Sequence, residues 1–557
     1  QTTPRSSQTT PRSSQTTPRS SQTTPLFDQT RTVLLHEIVE FAASARPCAT
    51  ALISNGAHVD FAGLERRIGV VATLLSRTVP PGERIVLVAE NHLDVVTLMY
   101  AAPRAGVIVA FGNTRHTPVE LLDLVEATDP ALVVAGVDHL ERLAEPLATA
   151  RPSLPVWSLG GSHRAAAQDL SAEADSFDGQ VMTDDPIDVD ADDCAWLIHT
   201  SGTTGRPKGV RLTHRSLLAA VTSTAVARPL SDDDVYLFPF PLFHVAGYNV
   251  LHAHLRRRPV VLLPRFEPTS VFDALREHEV TCCSLAPTML AMLLDHPERD
   301  DAALANLRQI SYGASAMPLD LLRRVTRELP GCGLAQGYGM TELSGNAVFL
   351  SPDDHRLAAA GQPHLLAAAG RPGPLAAVRI VDDDDHELPE GDPGEILVRG
   401  DQVCDGYWND PEATAASRLG RWLRTGDIGK VVDGVLYVVD RKKDLIITGG
   451  ENVASREVED LLGQHPAVAQ VAVVGIPDER WGETVCAVVV AEDAESFDGE
   501  ELMRWTDGRI AGFKRPRRIV RIDGLPTNAS GKVDKVRLRA VVAPVSGEPG
   551  WSGPVSP

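Results

Sequence analysis

Apolar positions along this chain of 557 residues recur with two alternating spacings, one typical of β-strands and one typical of α-helices. Residues 51–61 alternate about Asn55-Gly56, which predicts a β-hairpin. Helical spacing of apolar residues occupies 64–75, 92–105 and 118–127. Short apolar runs that predict buried strands lie at 84–89, 107–110, 131–135, 235–238, 260–263, 281–285 and 308–312. Because strands and helices alternate, we expect helix-covered parallel sheets.

The pattern of alternating strands and helices changes in the last third of the chain. Between 378 and 439 the predicted strands are short and broken by Gly, Pro and Asp, which indicates a β-rich subdomain. The acidic run 382–385 within it predicts a solvated turn. Past 440 a smaller α+β unit extends to about 541. The predicted fold class is therefore α/β, with a large N-terminal domain of helix-covered mixed sheets, a β-rich subdomain and a small α+β C-terminal domain.

Composition excludes several classes of function. The formal net charge is −21, which disfavours a nucleic-acid partner, and no apolar run approaches the length of a membrane span. The seven cysteines are scattered and never form a CxxC pair, so we expect free thiols and a cytoplasmic protein. Residues 1–21 are three copies of QTTPRSS without an apolar residue, and we expect 1–26 to be disordered.

Residues 199–214 read HTSGTTGRPKGVRLTH and follow an apolar run, 195–198, that predicts a buried strand. Three glycines (202, 205 and 209) permit a positive φ, four hydroxyl side chains offer donors, and Arg206 and Lys208 add positive charge. This composition predicts a loop that surrounds a polyphosphate; the alternative is a solvated linker. Pro207 and Gly209 flank the lysine, so the loop is not a Walker A motif, and Thr213 is the expected N-cap of the next helix.

The segment SGTTGRPKG resembles the phosphate loop of the adenylate-forming superfamily, which comprises acyl-CoA synthetases, luciferases and peptide-synthetase adenylation domains. Four further motifs match in the same order over 27–538, and the chain is most similar to AMP-forming acyl-CoA ligases. In the loop, the resemblance implies ATP and AMP binding by Thr200, Ser201, Gly202, Thr203, Thr204, Gly205 and Lys208.

The motif Pro241-Leu-Phe-His-Val-Ala-Gly resembles the family segment beside the acyl carboxylate. The resemblance implies that His244 is a gate of the acyl pocket and that Ala246 and Gly247 line it; a buried structural histidine is the alternative. No Asp or Glu occurs from 239 to 265. An amino-acid substrate is disfavoured, because its buried ammonium would lack a partner.

The motif Gln336-Gly-Tyr-Gly-Met-Thr-Glu342 carries the nucleotide and metal side chains by resemblance. Tyr338 would stack on adenine, Thr341 would bind a phosphate oxygen, and Glu342 would hold Mg²⁺, which accepts one carboxylate beside phosphate oxygens and water. The remaining implied walls of the nucleotide and acyl pockets are Tyr312, Gly313, Ala314, Ser315, Gly337 and Gly339. A plain turn at the glycines and a surface charge at Glu342 are the alternatives.

Two later motifs complete the implied site. Asp427 in Arg424-Thr-Gly-Asp would bind the ribose hydroxyls, Arg441 would reinforce the ribose or phosphate, and Lys443 would be the hinge of a mobile C-terminal domain. Without the other motifs, 441–444 would be an ordinary solvated charge run. Lys532, in LPTNASGKV, matches the catalytic lysine that bridges the carboxylate and the α-phosphate. The implied catalytic set is His244, Thr341, Glu342 and Lys532.

These assignments divide the chain into 1–26, an AMP-binding domain at 27–440, a hinge at 441–443, a cap domain at 444–541 and a flexible tail at 542–557. One departure from the family concerns the cap: Ala454-Ser455 stand where relatives commonly carry Tyr-Pro. In the family this loop helps to line the channel of the thiol acceptor. The departure therefore concerns the identity of the acceptor and not the adenylation step.

The expected function is ATP- and Mg²⁺-dependent activation of a carboxylic acid to an acyl-adenylate, followed by transfer to coenzyme A. Two alternatives stay open: an enzyme that only adenylates and passes the acyl group to a carrier protein or partner enzyme, and a non-catalytic relative that binds nucleotide or acyl groups. Fatty, aryl and polycyclic acids are all open as substrates. An acyl carrier protein and a homodimer are open as partners.

Overall fold

The computed structural model describes residues 33–177, 179, 189–200, 207–313, 317–478, 480–527, 533–542 and 550–552. The predicted disorder of 1–26 lies outside the described residues, as does most of the predicted tail. The helices of the described part are α1 (Glu37–Ala45), α2 (Phe61–Ser76), α3 (Leu93–Arg104), α4 (Pro118–Thr128), α5 (Val137–Ala150), α6 (Leu170–Ser176), α7 (His214–Ala227), α8 (Tyr248–Leu255), α9 (Pro268–Glu277), α10 (Pro287–Asp295), α11 (Asp301–Leu304), α12 (Leu319–Glu328), α13 (Pro352–Ala359), α14 (Pro411–Ala416), α15 (Ser455–Leu462), α16 (Gly499–Trp505) and α17 (Lys535–Val542).

The strands of the described part follow the predicted alternation. They are β1 (Thr50–Ser54), β2 (Ala57–Asp60), β3 (Arg84–Val88), β4 (Ile108–Phe111), β5 (Leu132–Gly136), β6 (Val156–Leu159), β7 (Gln168–Asp169), β8 (Cys194–Thr200), β9 (Lys208–Thr213), β10 (Tyr236–Phe238), β11 (Val260–Leu262), β12 (Cys282–Leu285), β13 (Gln309–Tyr312), β14 (Gly333–Met340), β15 (Gly345–Leu350), β16 (Arg371–Pro372), β17 (Ala377–Val381), β18 (Gly394–Arg399), β19 (Gly406–Tyr407), β20 (Arg418–Leu419), β21 (Trp422–Val432), β22 (Val435–Arg441), β23 (Ile446–Thr448), β24 (Glu451–Val453), β25 (Val468–Asp478), β26 (Gly482–Ala491), β27 (Arg518–Arg521) and β28 (Gly550–Ser552).

Two large mixed sheets form the N-terminal domain. In the first, the strand order is β16-β15-β14-β13-β12-β10-β11-β1-β2, and in the second it is β19-β9-β8-β4-β3-β5-β6-β7. The central pairs are parallel, whereas β2, β15 and β16 in the first sheet and β9 and β19 in the second pair antiparallel. Apolar runs without alternation suit these central strands, because both of their faces are covered. The predicted α/β class is confirmed.

The largest apolar core draws on both large sheets and on the helices α2, α3, α7 and α8. Leu52 of β1 and Phe238 of β10 belong to it from the first sheet, and Val109 of β4 and Trp196 of β8 belong to it from the second. All four are fully buried. The indole of Trp196 donates a hydrogen bond of 3.0 Å to the carbonyl of Met99, so even this apolar side chain has its polar atom satisfied.

Local signals identified the turns and caps. Asn55 and Gly56 both adopt positive φ (50° and 78°) between β1 and β2, as the predicted hairpin requires. Thr213 caps α7 by accepting a hydrogen bond from the amide of Ser216 in a capping box, which confirms the predicted helix start. These features need only neighbouring residues, which is why the sequence alone predicted them.

The β-rich subdomain is a sheet of order β17-β18-β21-β20, with β22 added on β21. The acidic turn at its edge is exposed, as predicted, and two of its residues form ion pairs: Asp385 with Arg424, and Asp383 with Lys442 at 2.9 Å. The C-terminal domain contains β24-β23-β26-β27-β28, with β25 on β26. Helix α15 packs on one face of that sheet, and α17 belongs to the apolar core on the other.

Among the described residues, no helix is both long and apolar enough to cross a membrane. All seven cysteines are free, as predicted.

Candidate active site

The two strands that flank the predicted phosphate loop pair with each other. Strand β8 runs antiparallel to β9, and Thr200 stands opposite Lys208 at the end of the ladder. The residues that connect them lie outside the described part of the chain; they include the predicted Ser201, Gly202, Thr203, Thr204 and Gly205. Thr200 and Lys208 therefore mark the base of the loop, and the buried strand predicted before it is confirmed.

Gly209 does not use the left-handed backbone that glycine permits. It lies inside β9 opposite His199, and a Cβ at this position would stand 2.9 Å from His199 Nε2 and 3.2 Å from Trp408 Cβ. Burial lowers the pKa of His199 to about 4, so its imidazole is neutral near pH 7. A glycine is needed at 209 because the neutral imidazole of His199 packs directly against its backbone and leaves no room for a Cβ.

A short row of side chains joins the phosphate loop to the predicted magnesium ligand. Lys208 Nζ lies 5.2 Å from the centroid of the Tyr407 ring, and the Tyr407 hydroxyl donates a hydrogen bond of 2.9 Å to Glu342 Oε1. Strand β19, which carries Tyr407, pairs with β9 and so brings the ring beside the loop. Sequence reasoning missed Tyr407; the available signal was the aromatic pair Tyr407-Trp408 after a glycine.

Glu342 is a buried carboxylate, with a relative exposure of 7 %. Burial raises its pKa, which the hydrogen bond from Tyr407 and the positive charge of Arg441 partly offset. Thr341 begins the 3₁₀ turn Thr341–Leu343, so the predicted phosphate and metal residues are adjacent on one tight turn. A buried carboxylate with a raised pKa is stabilised in its charged form by a cation, and its oxygens suit Mg²⁺.

Tyr338, Asp427 and Arg441 converge from three segments. The Tyr338 hydroxyl donates to Asp427 Oδ2 at 2.7 Å, and Arg441 Nε lies 3.4 Å from Asp427 Oδ1. The ladder of β21 and β22 places Asp427 directly opposite Arg441. Asp427 is buried, whereas half of the Arg441 side chain is exposed. The carboxylate is thus held between a hydroxyl and a guanidinium.

The glycines of the motif allow close approach of neighbouring chains. A Cβ at Gly337 would lie 2.0 Å from the side-chain amide of Asn346, and one at Gly339 would lie 2.0 Å from the carbonyl of Gly345. A Cβ at Gly313 would lie 2.8 Å from the carbonyl oxygen of Gly337. A larger residue at Gly339 would require β14 and β15 to separate, whereas one at Gly337 would require the Asn346 side chain to move. Ala314 and Ser315 lie outside the described residues.

Tyr312 turns its ring into the core beneath the first sheet. Its hydroxyl donates to Gln336 Oε1 at 3.1 Å and lies 2.9 Å from His355 Nε2, and the residue is 4 % exposed. His355 in turn contacts the carbonyl of Ser351 through Nδ1 at 2.8 Å. The tyrosine therefore fastens the ends of β13 and β14, and its neighbour Gly313 presents backbone to the site.

The loop that carries His244 is held by a buried asparagine. Asn91 donates to the carbonyls of Phe240 and Leu263 at 2.7 and 2.9 Å and accepts from the amide of Leu242 at 2.8 Å. The side chain is 3 % exposed, and all three partners are backbone groups. Sequence reasoning missed Asn91, although its place three residues after the end of strand β3 was a usable signal.

His244 itself is half-buried, and its ring centroid lies 4.5 Å from that of Phe243. Ala246 and Gly247 follow in the 3₁₀ turn Val245–Gly247, which leads into α8. A Cβ at Gly247 would stand 3.2 Å from the carbonyl of Leu242, so this glycine serves a tight turn.

Ion pairs on the two sides of Lys443 lead to different parts of the protein. Lys442 Nζ lies 2.9 Å from Asp383 and 3.3 Å from Glu395 of the β-rich subdomain. Asp444, on the other side, lies 3.0 Å from Arg539 of α17. Lys443 is the residue between these two attachments.

The departure at Ser455 has a structural consequence. Both the amide and the hydroxyl of Ser455 donate to Asp440 Oδ2, at 2.6 and 2.7 Å. Lys535 Nζ donates to the same hydroxyl at 2.6 Å and lies 2.7 Å from Glu459. A proline at 455 would supply neither donor. Lys532, the predicted catalytic lysine, lies outside the described residues, between the bridged Thr527 and Val533.

The amino-acid sequence matches two models of known protein families. Residues 39–408 match the family model of the AMP-binding enzymes, and residues 457–532 match that of the AMP-binding enzyme C-terminal domain. The chain belongs to the AMP-binding enzyme family. It is an acid–thiol ligase of the adenylate-forming superfamily, which activates a carboxylic acid with ATP as an acyl-adenylate and transfers it to coenzyme A.

Its relatives include a feruloyl-CoA synthase from Amycolatopsis sp, 35% identical over 89% of this chain and 96% of the relative. An indoleacetate–CoA ligase from Aromatoleum aromaticum is also 35% identical, over 91% of this chain and 98% of the relative.

Among solved structures, ATP-bound MatB from Rhodopseudomonas palustris superposes with a TM-score of 0.83 at 29% identity, covering 92% of this chain and all of MatB. The amide bond synthetase McbA from Marinactinospora thermotolerans superposes with a TM-score of 0.80 at 31% identity, covering 91% of this chain and 99% of McbA.

Proposed function

We propose that Tyr338, Thr341, Glu342, Asp427, Arg441 and Lys532 are the working side chains of the first half-reaction, the attack of the carboxylate on the α-phosphate of ATP. The observation that carries this proposal is the convergence of Tyr338, Asp427 and Arg441: the Tyr338 hydroxyl reaches Asp427, 89 positions later in the chain, and Arg441 reaches the same carboxylate from the neighbouring strand. In this proposal Asp427 accepts hydrogen bonds from the ribose hydroxyls. Arg441 offsets its charge and contacts the ribose or phosphate.

Glu342 is the residue that would hold Mg²⁺. The ion, when bound, would neutralise charge on the phosphates and on departing pyrophosphate. Glu342 fits this role because its carboxylate is buried, is oriented by Tyr407 and stands on the turn that begins at Thr341. Lys208, next to the Tyr407 ring, would add a further positive charge at the phosphates.

The second half-reaction requires the C-terminal domain to turn about Lys443. The ion pairs of Lys442 with the β-rich subdomain and of Asp444 with α17 support a pivot between them. We place the domain boundaries accordingly at 27–440, 441–443 and 444–541. Rotation would remove Lys532 from the carboxylate and admit the thiol of coenzyme A while the anhydride stays shielded from water.

A pyrophosphate-exchange assay over a panel of fatty, aryl and polycyclic acids tests the first half-reaction. Formation of acyl-CoA from supplied acyl-adenylate tests the second. Lys532→Ala should abolish exchange and largely spare the second reaction, whereas Glu342→Gln should weaken the dependence on Mg²⁺. Equal loss of both half-reactions in Lys532→Ala would contradict the role of Lys532.

A second candidate acceptor follows from the similarity to McbA, an amide bond synthetase. The chain would then adenylate its acid and pass the acyl group to a carrier protein, a partner enzyme or an amine. Acyl-AMP that accumulates in the presence of excess coenzyme A would favour this candidate.

A further inference from the structure

The turn that carries Glu342 leads into β15 through a backbone conformation that is unusual for its residue. The amide of Ser344 donates to the carbonyl of Thr341 at 2.9 Å, and Ser344 is left-handed, with φ of 56° and ψ of 10°. Residues other than glycine seldom adopt this conformation, which persists where surrounding contacts hold it. We call residues 341–344 the magnesium turn. Its shape therefore depends on contacts from outside the turn.

One buried side chain spans the left-handed residue. Gln402 is 0 % exposed, and its Nε2 donates to the carbonyls of Leu343 at 3.0 Å and Asn346 at 3.1 Å. Carbonyl oxygens only accept hydrogen bonds, so the amide nitrogen of Gln402 must face them. Within the described part of the chain, Gln402 Oε1 has no partner. The side chain is therefore held in place by its two donors.

The residues after Gln402 extend these contacts to Glu342 itself. The amide of Cys404 donates to the carbonyl of Glu342 at 2.9 Å, and the Tyr407 hydroxyl donates to its carboxylate, also at 2.9 Å. We call residues 402–408 the clamp segment. It contacts both the backbone and the side chain of the proposed magnesium ligand.

The clamp segment is also fixed to β9, the strand that follows the phosphate loop. The amide of Asp405 donates to the carbonyl of Arg211 at 3.0 Å, and the two side chains form an ion pair of 2.8 Å. The amide of Trp408 donates to the carbonyl of Gly209 at 2.7 Å. Because β9 begins at Lys208, the clamp segment connects the base of the phosphate loop to the magnesium turn.

Gln402 makes the contact of the clamp segment that depends most on side-chain identity. The amide of residue 404 belongs to the backbone, whereas two carbonyls can be satisfied from position 402 only by a side chain with two N–H donors. Without those donors the carbonyls would lose their partners, and burial makes that loss costly. The magnesium turn would then shift toward other donors and move Glu342. Mg²⁺ demands near-ideal octahedral geometry, so a displaced carboxylate binds it more weakly.

We infer that Gln402 is a positioning residue for magnesium, which acts through the carbonyls of Leu343 and Asn346 to hold Glu342 beside the phosphate loop. The inference rests on the proposed function, since that function assigns the ion to Glu342. It adds a residue 60 positions away from the ligand that touches neither the ion nor the nucleotide.

Calorimetric binding of α,β-methylene-ATP, measured with Mg²⁺ and with a chelator, tests this inference without turnover. The quantity compared is the magnesium gain, the factor by which Mg²⁺ tightens binding of this analogue. Gln402→Met keeps the length of the side chain and removes both donors. It should lower the magnesium gain by about threefold to tenfold, the effect of one hydrogen bond. The Mg²⁺ concentration at half-maximal pyrophosphate exchange should rise by the same factor.

Asn91→Ala is the matched control. Asn91 is also a buried amide that donates to two backbone carbonyls, but it holds the loop of His244. The control should lose stability as Gln402→Met does and keep the wild-type magnesium gain. An equal fall of the gain in Asn91→Ala would show a general loosening of the domain and would overturn the inference.

Gln402→Asn provides a second variant, which carries the test should Gln402→Met fail to fold. Its amide is one methylene shorter and can satisfy one carbonyl at a time, so its magnesium gain should lie between those of wild type and Gln402→Met. A wild-type gain in the Gln402 variants, together with a lowered gain in Glu342→Gln, would overturn the role of Gln402 alone. A wild-type gain in Glu342→Gln would contradict the proposed function and this inference with it.

Discussion

The hydroxyl of Tyr407 donates a hydrogen bond of 2.9 Å to Glu342, which lies 65 positions earlier in the chain. This bond lowers the pKa of a carboxylate whose pKa burial raises. Tyr407 thus helps to keep the predicted magnesium ligand ionised, although no motif marked it.

Tyr407→Phe should therefore raise the pKa of Glu342 and weaken Mg²⁺ binding. Because a hydrogen bond to a charged group contributes about 1.5–3 kcal/mol, the Mg²⁺ concentration at half-maximal exchange should rise by about tenfold or more. The acid limb of the pH–rate profile should move to higher pH, since the carboxylate must be deprotonated to bind the ion. Tyr437→Phe, in a separate core, is the control. An unchanged Mg²⁺ dependence would show that the ion binds elsewhere.

Asn91→Ala should release the loop that carries His244. Three buried backbone groups lose their partner, so the free energy of unfolding should fall by about 2–4 kcal/mol, and KM for the acid should rise. Chemical denaturation and exchange kinetics measure the two effects. Asn113→Ala, which removes an exposed contact to Arg115, should change neither quantity appreciably. Equal stability of the two variants would refute the role of Asn91.

Lys443→Pro should affect the two half-reactions unequally. Proline fixes φ near −65°, whereas a pivot must adopt two backbone states. Pyrophosphate exchange should survive better than thioester formation, because we expect ATP to bind before the rotation. Lys443→Ala should behave nearly as wild type. If the proline variant keeps both rates, the pivot is not at Lys443.

Ser455→Ala should loosen the junction between the domains. Its hydroxyl joins Asp440, before Lys443, to Lys535, after it, and rotation about Lys443 would separate Asp440 from Ser455. Tryptic cleavage after Lys442 or Lys443 should accelerate by about threefold to tenfold, the effect of one hydrogen bond. Ser496→Ala, at an exposed serine of the C-terminal domain, should leave the cleavage rate unchanged. Equal cleavage rates of wild type and Ser455→Ala would show that the hydrogen bonds of the Ser455 hydroxyl do not hold the two domains together.

Buried histidines should make the protein less stable at acidic pH. Burial lowers the pKa of His254 to about 4, while in the unfolded chain it is near 6.5. The unfolded state therefore binds more protons in this window, and stability is lost as pH falls from about 6.5 to about 4. His254→Gln should reduce this loss by about 3 kcal/mol at most. Melting temperatures of both proteins from pH 7 to pH 4 provide the test, and parallel curves would contradict it.

Much of the fold followed from local patterns in the sequence. The strands around 84–88 and 108–111, the hairpin at Asn55-Gly56 and the cap at Thr213 depend on residues within a few positions of each other. The family motifs are also local, which is why Tyr338, Glu342 and Asp427 could be named as candidates before their positions were known.

Pairings between distant segments were decided only by the tertiary structure. Tyr338 meets Asp427, which lies 89 positions later, and Tyr407 meets Glu342 because β19 adds to β9. Strand order, register and helix packing depend on how apolar faces of the whole domain are buried, and no local pattern encodes that outcome.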